Sequence, residues 1–319
     1  MVMGNRRNCM FLVLKGCAMG AADVVPGVSG GTIAFVTGIY EELVNSIRSV
    51  DFQALKMLFS LRFADCWRKI NGNFLICVVS GIGISVFSLA RLMTWLLGHH
   101  PLYVWSFFFG LIIASSLLVV REIRTWNVFT VISLAAGICM AYAITVTTPA
   151  ETPVTWWFII LSGAVAICAM ILPGISGAFI LLLMGKYSFI LEAVSRLDIP
   201  VLLLFAAGAV AGIIGFSHLL SRLLKNYHAL TVSLLTGFMA GSLNKVWPWK
   251  ETVRTYIDSH GVEQALVENN ISPVRFQELT GADPMIWQAI VMCVFGFLLI
   301  YGVEMFARKS AAGIAGSEK

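Results

Sequence analysis

Acidic and basic side chains make up only 12% of the 319 residues, about half the share found in a soluble domain, and that scarcity excludes a water-soluble globular fold. No two of the seven cysteines (Cys9, Cys17, Cys66, Cys77, Cys139, Cys168, Cys293) form a Cys-x-x-Cys pair, and of the five histidines only His99 and His100 adjoin. A metal or redox centre is therefore not expected, and the cysteines read as single buried apolar side chains. No nucleic-acid partner is expected either. What is abundant is apolar surface, with 58% hydrophobic residues and a mean hydropathy of +0.85. Apolar segments near the ~20 residues that cross a hydrocarbon core of ~30 Å lie at Asn73–Leu97, Pro101–Val120, Val128–Val146, Val201–Leu224, Leu230–Trp247 and Met285–Phe306. They predict six full crossings of a bilayer. Arg6-Arg7 followed by Met10 to Leu14 has the look of a signal peptide, but Lys15 interrupts the apolar run, so the start is expected to be part of the structure.

The pentapeptide Pro26-Gly27-Val28-Ser29-Gly30 returns as Pro173-Gly174-Ile175-Ser176-Gly177, each copy inside a long apolar stretch and each followed by Gly-x-Tyr (Gly38, Tyr40; Gly185, Tyr187). Arg91-Leu92 likewise matches Arg222-Leu223, and the stretch from Phe109-Gly110-Leu111 to Ser115 resembles that from Thr236-Gly237-Phe238 to Ser242. Such self-similarity marks an internal duplication. The expected architecture is an all-α polytopic membrane protein of two inverted repeats, each a re-entrant helical hairpin plus three transmembrane helices. Repeat 1 covers 1–150, with the hairpin at 9–47 and an interfacial helix at 51–70. Repeat 2 covers 151–319, with the hairpin at 156–194 and an extracytoplasmic insertion at 250–283.

Inversion follows from charge. If the first hairpin returns to its own side, Arg6, Arg7 and Lys15 share a compartment with Arg48, Lys56, Arg62, Arg68 and Lys69, and the positive-inside rule makes that compartment the cytoplasm. Three crossings per half then place Arg121, Arg124, Arg222, Lys225, Arg308 and Lys309 inside too, with both termini cytoplasmic, and the Lys/Arg-free loops Gly98–Pro101 and Thr147–Pro153 outside. Asp51 to Ile70 spaces Phe52, Leu55, Phe59, Phe63 and Trp67 at helical intervals between basic residues. That suits an interfacial helix on an anionic leaflet, and equally a polar-faced connector.

A bilayer tolerates broken helices only where protein or a wet cavity satisfies the freed backbone, which in transporters is usually the substrate site. In the first motif proline stops one helix, and Ser29, Gly30, Gly31 and Thr32 open the next with bare N–H groups and two hydroxyls. Amides and the positive end of a helix favour phosphate or carboxylate, and glycines let a ligand approach closely. Ser176 and Gly177 offer the same in the second copy, and hairpins dipping from opposite faces would meet at mid-membrane. The plain alternative is a kink used for helix packing. Asp23, three residues before Pro26, is the first candidate for a coupling proton or cation, and Glu41 the second unless it simply faces water. Arg91 and Arg222 either contact a bound phosphate or snorkel to headgroups.

The run Gly20-Ala21-Ala22-Asp23-Val24-Val25-Pro26-Gly27-Val28-Ser29-Gly30-Gly31-Thr32, the second Leu172-Pro173-Gly174-Ile175-Ser176-Gly177 and the Gly-x-Tyr after each closely resemble the polyprenyl-phosphate transporter family of bacteria. The resemblance spans nearly the whole chain. It implies a flippase that returns undecaprenyl phosphate from the outer to the inner leaflet of the cytoplasmic membrane for envelope synthesis. It also implies partners limited to that lipid and the bilayer, with a homodimer left open, and no cofactor beyond a coupling proton or sodium ion. Two alternatives stand beside it. The motif is similar to the Pro-Gly-x-Ser-Arg-Ser of membrane undecaprenyl pyrophosphate phosphatases, but Gly30 and Gly31 stand where the arginine and second serine would clamp phosphoryl charge, so no catalytic residue is expected. The other alternative, a small-anion transporter, shares the pocket but needs no opening to lipid.

Overall fold

The computed structural model describes residues 2–23, 29–123, 125–147, 152–257 and 263–316. The described chain is mostly helical, as a segment without water at its backbone must be. In chain order the helices are α1 (Val2–Asp23), α2 (Gly30–Val36), α3 (Tyr40–Arg48), α4 (Phe52–Phe59), α5 (Phe63–Lys69), α6 (Gly72–His99), α7 (Pro101–Val120), α8 (Val128–Val146), α9 (Trp156–Ile171), α10 (Gly177–Leu183), α11 (Tyr187–Arg196), α12 (Ile199–Asn226), α13 (His228–Ser242), α14 (Pro273–Thr280) and α15 (Ile286–Gly316). Two strands, β1 (Lys250–Ile257) and β2 (Glu263–Asn270), precede α14.

Four helix pairs make the frame: α1 with α6, α7 with α15, α8 with α13, and α9 with α12. Lipid offers helices no hydrophobic reason to associate, so the contacts depend on close approach of small residues. Each pair has glycines on both partners: Gly16 and Gly81, Gly110 and Gly296, Gly137 and Gly237, Gly163 and Gly208. At every one a Cβ would run into the main chain of the partner helix. The sequence correspondence takes α1, α6 and α7 onto α9, α12 and α13, and chain order matches the long helices that follow, α8 and α15. Under it the pair α1–α6 maps onto α9–α12, and α7–α15 maps onto α13–α8. Each half thus completes its packing with a helix of the other.

Several expectations need correction. The mostly helical fold is consistent with an all-α membrane protein, but the charged 250–283 segment adds an antiparallel hairpin that was not expected, in which Lys250 pairs with Asn270 and Ile257 with Glu263. The alternation of Thr252, Arg254 and Tyr256 with Val253, Thr255 and Ile257 is the period of a strand. Each broken-helix unit is three helices rather than a two-armed hairpin. Gly38 (φ +71°) and Gly185 (φ +61°) take up the left-handed conformation open to glycine and so end α2 and α10 early. The 51–70 helix is two, broken at a left-handed Leu61 (φ +55°). They are tied back by Lys69 on Asp51, with Phe59, Leu61, Phe63 and Trp67 exposed.

Among the described residues α7, α8 and α12, each at an expected crossing, are long and apolar enough alone; two bent pairs raise the number to five if each is one span, α5 with the first part of α6, at 72°, and α10 with α11, at 114°, the latter inside the hairpin expected at 156–194. α13 is only 15 residues long, short of a full span. Cys9 is bonded to Cys77 across the α1–α6 contact, where single thiols are expected.

Candidate functional site

The two motif loops touch. Proline at position 173 interrupts α9 and leaves its last carbonyls without helical donors. The first half supplies them: the Ser29 hydroxyl lies 3.2 Å from both the Met170 and Leu172 carbonyls, and the Tyr40 hydroxyl donates to Ile171 at 3.1 Å. In return the Gly174 N–H donates to the Thr32 hydroxyl at 2.9 Å. Gly174 sits at φ +87°, which orients that N–H and which a side chain would resist. Ser29 and Thr32 are 1% and 0% exposed, so these bonds replace water entirely. A buried donor or acceptor left unmatched would cost about 1–3 kcal/mol.

The amides of the first loop are not bare in this state. Gly30 donates to the Asp23 carboxylate at 2.7 Å and Gly31 to the Ser29 hydroxyl at 3.1 Å. Nor do the glycines leave open room. A Cβ on Gly30 would stand 2.5 Å from Asp23 Oδ2, and one on Gly31 would stand 2.6 Å from the Ile171 carbonyl oxygen. Asp23 thus holds the position expected for a ligand anion, and Gly31 is there so that one loop can press on the other. Residues 24–28, which include Pro26 and Gly27, lie outside the described residues.

The remaining sequence candidates are spread over the fold. Ser176 is buried and precedes α10 as its N-cap. With Gly174, Ile175, Thr145, Phe179 and Lys245 it lines a small cleft. A Cβ on Gly177 would lie 2.6 Å from the Ala166 carbonyl, so this glycine seats α10 against α9. Arg222 is not at the loops. It lines an open cleft of about 450 Å³ with Arg48, His218, Leu219, Lys225 and Asn226, where Arg48 is fixed by Ser221 at 2.9 Å and Ser221 in turn by Asn45 at 2.7 Å. Cations from both halves are gathered there. Arg91 belongs to α6, but its side chain is outside the described residues. Glu41 is exposed and pairs with His228 at 3.0 Å.

One group of residues escapes the sequence reading. Lys245 and Lys250 both reach Glu268 Oε2 at 3.2 Å. Lys250 stacks 4.0 Å from the Trp105 ring and Lys245 lies 4.7 Å from the Phe179 ring. Burial pushes the Lys250 ammonium down to about 8. Burial alone would raise the Glu268 carboxyl, but Lys250 and Lys245 more than offset it and hold it below the usual range. The signal was present, since Lys245 interrupts the apolar run Leu230–Trp247, and an ionisable residue inside such a run is costly enough to suggest a role.

A family model described as undecaprenyl phosphate translocase-like matches residues 19–264. A polyprenyl-phosphate transporter of Vibrio cholerae is 46% identical over 306 residues, covering 96% of this chain and 99% of the relative. Another, of Staphylococcus aureus, is 34% identical over 256 residues, covering 74% and 85%. No solved structure matches the chain.

Proposed function

The chain belongs to the undecaprenyl phosphate translocase-like family, and we propose that it returns undecaprenyl phosphate from the outer to the inner leaflet of the bacterial cytoplasmic membrane for envelope synthesis. The observation that carries the mechanism is the junction of the two motif loops. Hydroxyls of one half bond the broken backbone of the other, while an internal carboxylate holds the Gly30 amide. The donors among them, the Ser29 hydroxyl and the Gly30, Gly31 and Gly174 amides, each have an equally good acceptor in a phosphate oxygen. The headgroup exchanges with them: it takes Ser29, Thr32 and the Gly30 and Gly31 amides on one side, and Ser176 and Gly177 on the other. The prenyl tail stays in lipid. Helix pairing across the halves supports reading them as two repeats that move against each other around this point, the arrangement of alternating access.

Transfer toward the cytoplasm opposes the membrane potential by ~2.3 kcal/mol per charge per 100 mV, and a phosphate monoester with a second pKa near 6 carries between one and two charges. A co-transported proton or sodium ion offsets this, and Asp23 is its carrier. When phosphate displaces the Asp23 carboxylate from Gly30, a cation compensates the freed charge. Glu41, exposed beside His228, has the weaker claim. Phosphatase chemistry is disfavoured because Gly30 and Gly31 replace the arginine and serine of that motif.

The test is leaflet exchange of undecaprenyl phosphate in proteoliposomes, with and without imposed proton and sodium gradients. Exchange faster than in empty vesicles and driven by one gradient is expected, and Asp23→Asn should abolish the gradient dependence. Exchange no faster than in empty vesicles would overturn the transport reading. Gradient response in Asp23→Asn equal to wild type would remove Asp23 as the carrier. Release of phosphate from undecaprenyl pyrophosphate would favour the enzyme, and uptake of inorganic phosphate alone would favour a soluble-anion carrier.

A further inference from the structure

Two partly buried lysines share one carboxylate beside the second motif loop, and that leaves a positive charge over. Lys250, Lys245 and Glu268 have side chains only 7%, 18% and 20% exposed, and buried charges are retained when they are balanced by partners. Lys250 has the Trp105 face in addition to Glu268. Lys245 projects into the cleft lined by Gly174, Ser176, Thr145 and Phe179, so its free side faces the loop proposed above to hold the headgroup.

We propose that Lys245 is a phosphate-binding residue of the second loop, and that Glu268 on the β-hairpin is an internal stand-in for the phosphate, displaced from Lys245 when the headgroup arrives. The inference rests on the transport reading for the identity of the ligand, but its chemistry requires only a phosphate monoester. Phosphate taking Lys245 leaves Glu268 on Lys250, so no charge is stranded. The cleft has room for about one water molecule, and a phosphate therefore enters only as the Lys245–Glu268 contact opens. Asp23 does the same at the first loop, where its carboxylate fills the Gly30 amide. Each loop then rests closed on an acidic residue of its own half of the chain.

The test measures binding of undecaprenyl phosphate in mixed micelles, and of inorganic phosphate separately, to the purified full chain by tryptophan fluorescence, alongside melting temperature. Lys245→Met should weaken undecaprenyl phosphate binding about tenfold, the loss of one charge-assisted contact, with Lys245→Arg restoring most of it. Glu268→Gln should tighten binding several-fold while lowering the melting temperature, because Lys250 loses its partner. Melting shifts in both Lys245→Met and Glu268→Gln with wild-type affinity would make the cluster a structural latch and overturn the proposal. Inorganic phosphate binding as tightly as the lipid, with the same Lys245→Met loss, would keep Lys245 as a phosphate contact and count against the lipid reading. Wild type without leaflet exchange but with the Lys245→Met loss intact would do the same to the transport reading alone.

Discussion

Gly110→Leu is expected to prevent accumulation of folded protein. A Cβ at this position collides with the Cys293 carbonyl oxygen of α15, and a main-chain atom of a packed helix cannot turn aside as a flexible side chain can. The helices must separate along the α7–α15 contact, one of the four that frame the molecule. α7 also packs on α2 and α13, so the displacement reaches the motif loops. The cost is on the order of 3 kcal/mol or more, the upper range for overpacking, in a setting where association depends on close approach. Yield of monodisperse protein and melting temperature in detergent measure it. Gly83→Leu is the control, because a Cβ there meets nothing within 4 Å. Equal behaviour of the two variants would mean the helices are not held at the separation described.

Thr32→Val should suppress leaflet exchange by about tenfold or more while the protein still inserts. Valine keeps the shape but removes the acceptor of the Gly174 N–H. At a position with 0% exposure no water replaces it, and the orphaned donor costs about 1–3 kcal/mol. The loss falls on the state in which the loops meet, and on a phosphate contact in the occupied state, so both ends of the transport cycle are affected. Thr32→Ser, which retains the oxygen, should recover most of the exchange. Full exchange in Thr32→Val would show that the cross-loop bond is idle in transport.

The duplicated Pro-Gly-x-Ser-Gly and Gly-x-Tyr motifs were legible because helix breakers inside apolar runs have few physical explanations, and the two loops do lie together. Apolar length alone located α7 and α8 to the residue. What could not be read was which groups satisfy each other. Bare amides on α2 follow from the local sequence, but Asp23 and Ser29 fill them. Tyr40 reads only as part of the repeated Gly-x-Tyr, yet its hydroxyl caps a carbonyl 131 positions away. Arg222 matches Arg91 in sequence, but its α12 position lines an open cleft with Arg48 and Lys225 rather than the loops. Charge content hid the β-hairpin, because Lys, Glu and Arg dominate 250–257 to the eye while the alternation of Val253, Thr255 and Ile257 sets the strand.

The most direct measurement is photo-crosslinking with an undecaprenyl phosphate analogue carrying its reactive group beside the phosphate, followed by peptide mapping of the adducts. A headgroup held between the loops should label peptides containing Ser29–Thr32 and Gly174–Gly177 in the same preparation, with both adducts suppressed by excess natural lipid. Labelling confined to lipid-facing helices such as α8, unaffected by competitor, would contradict it.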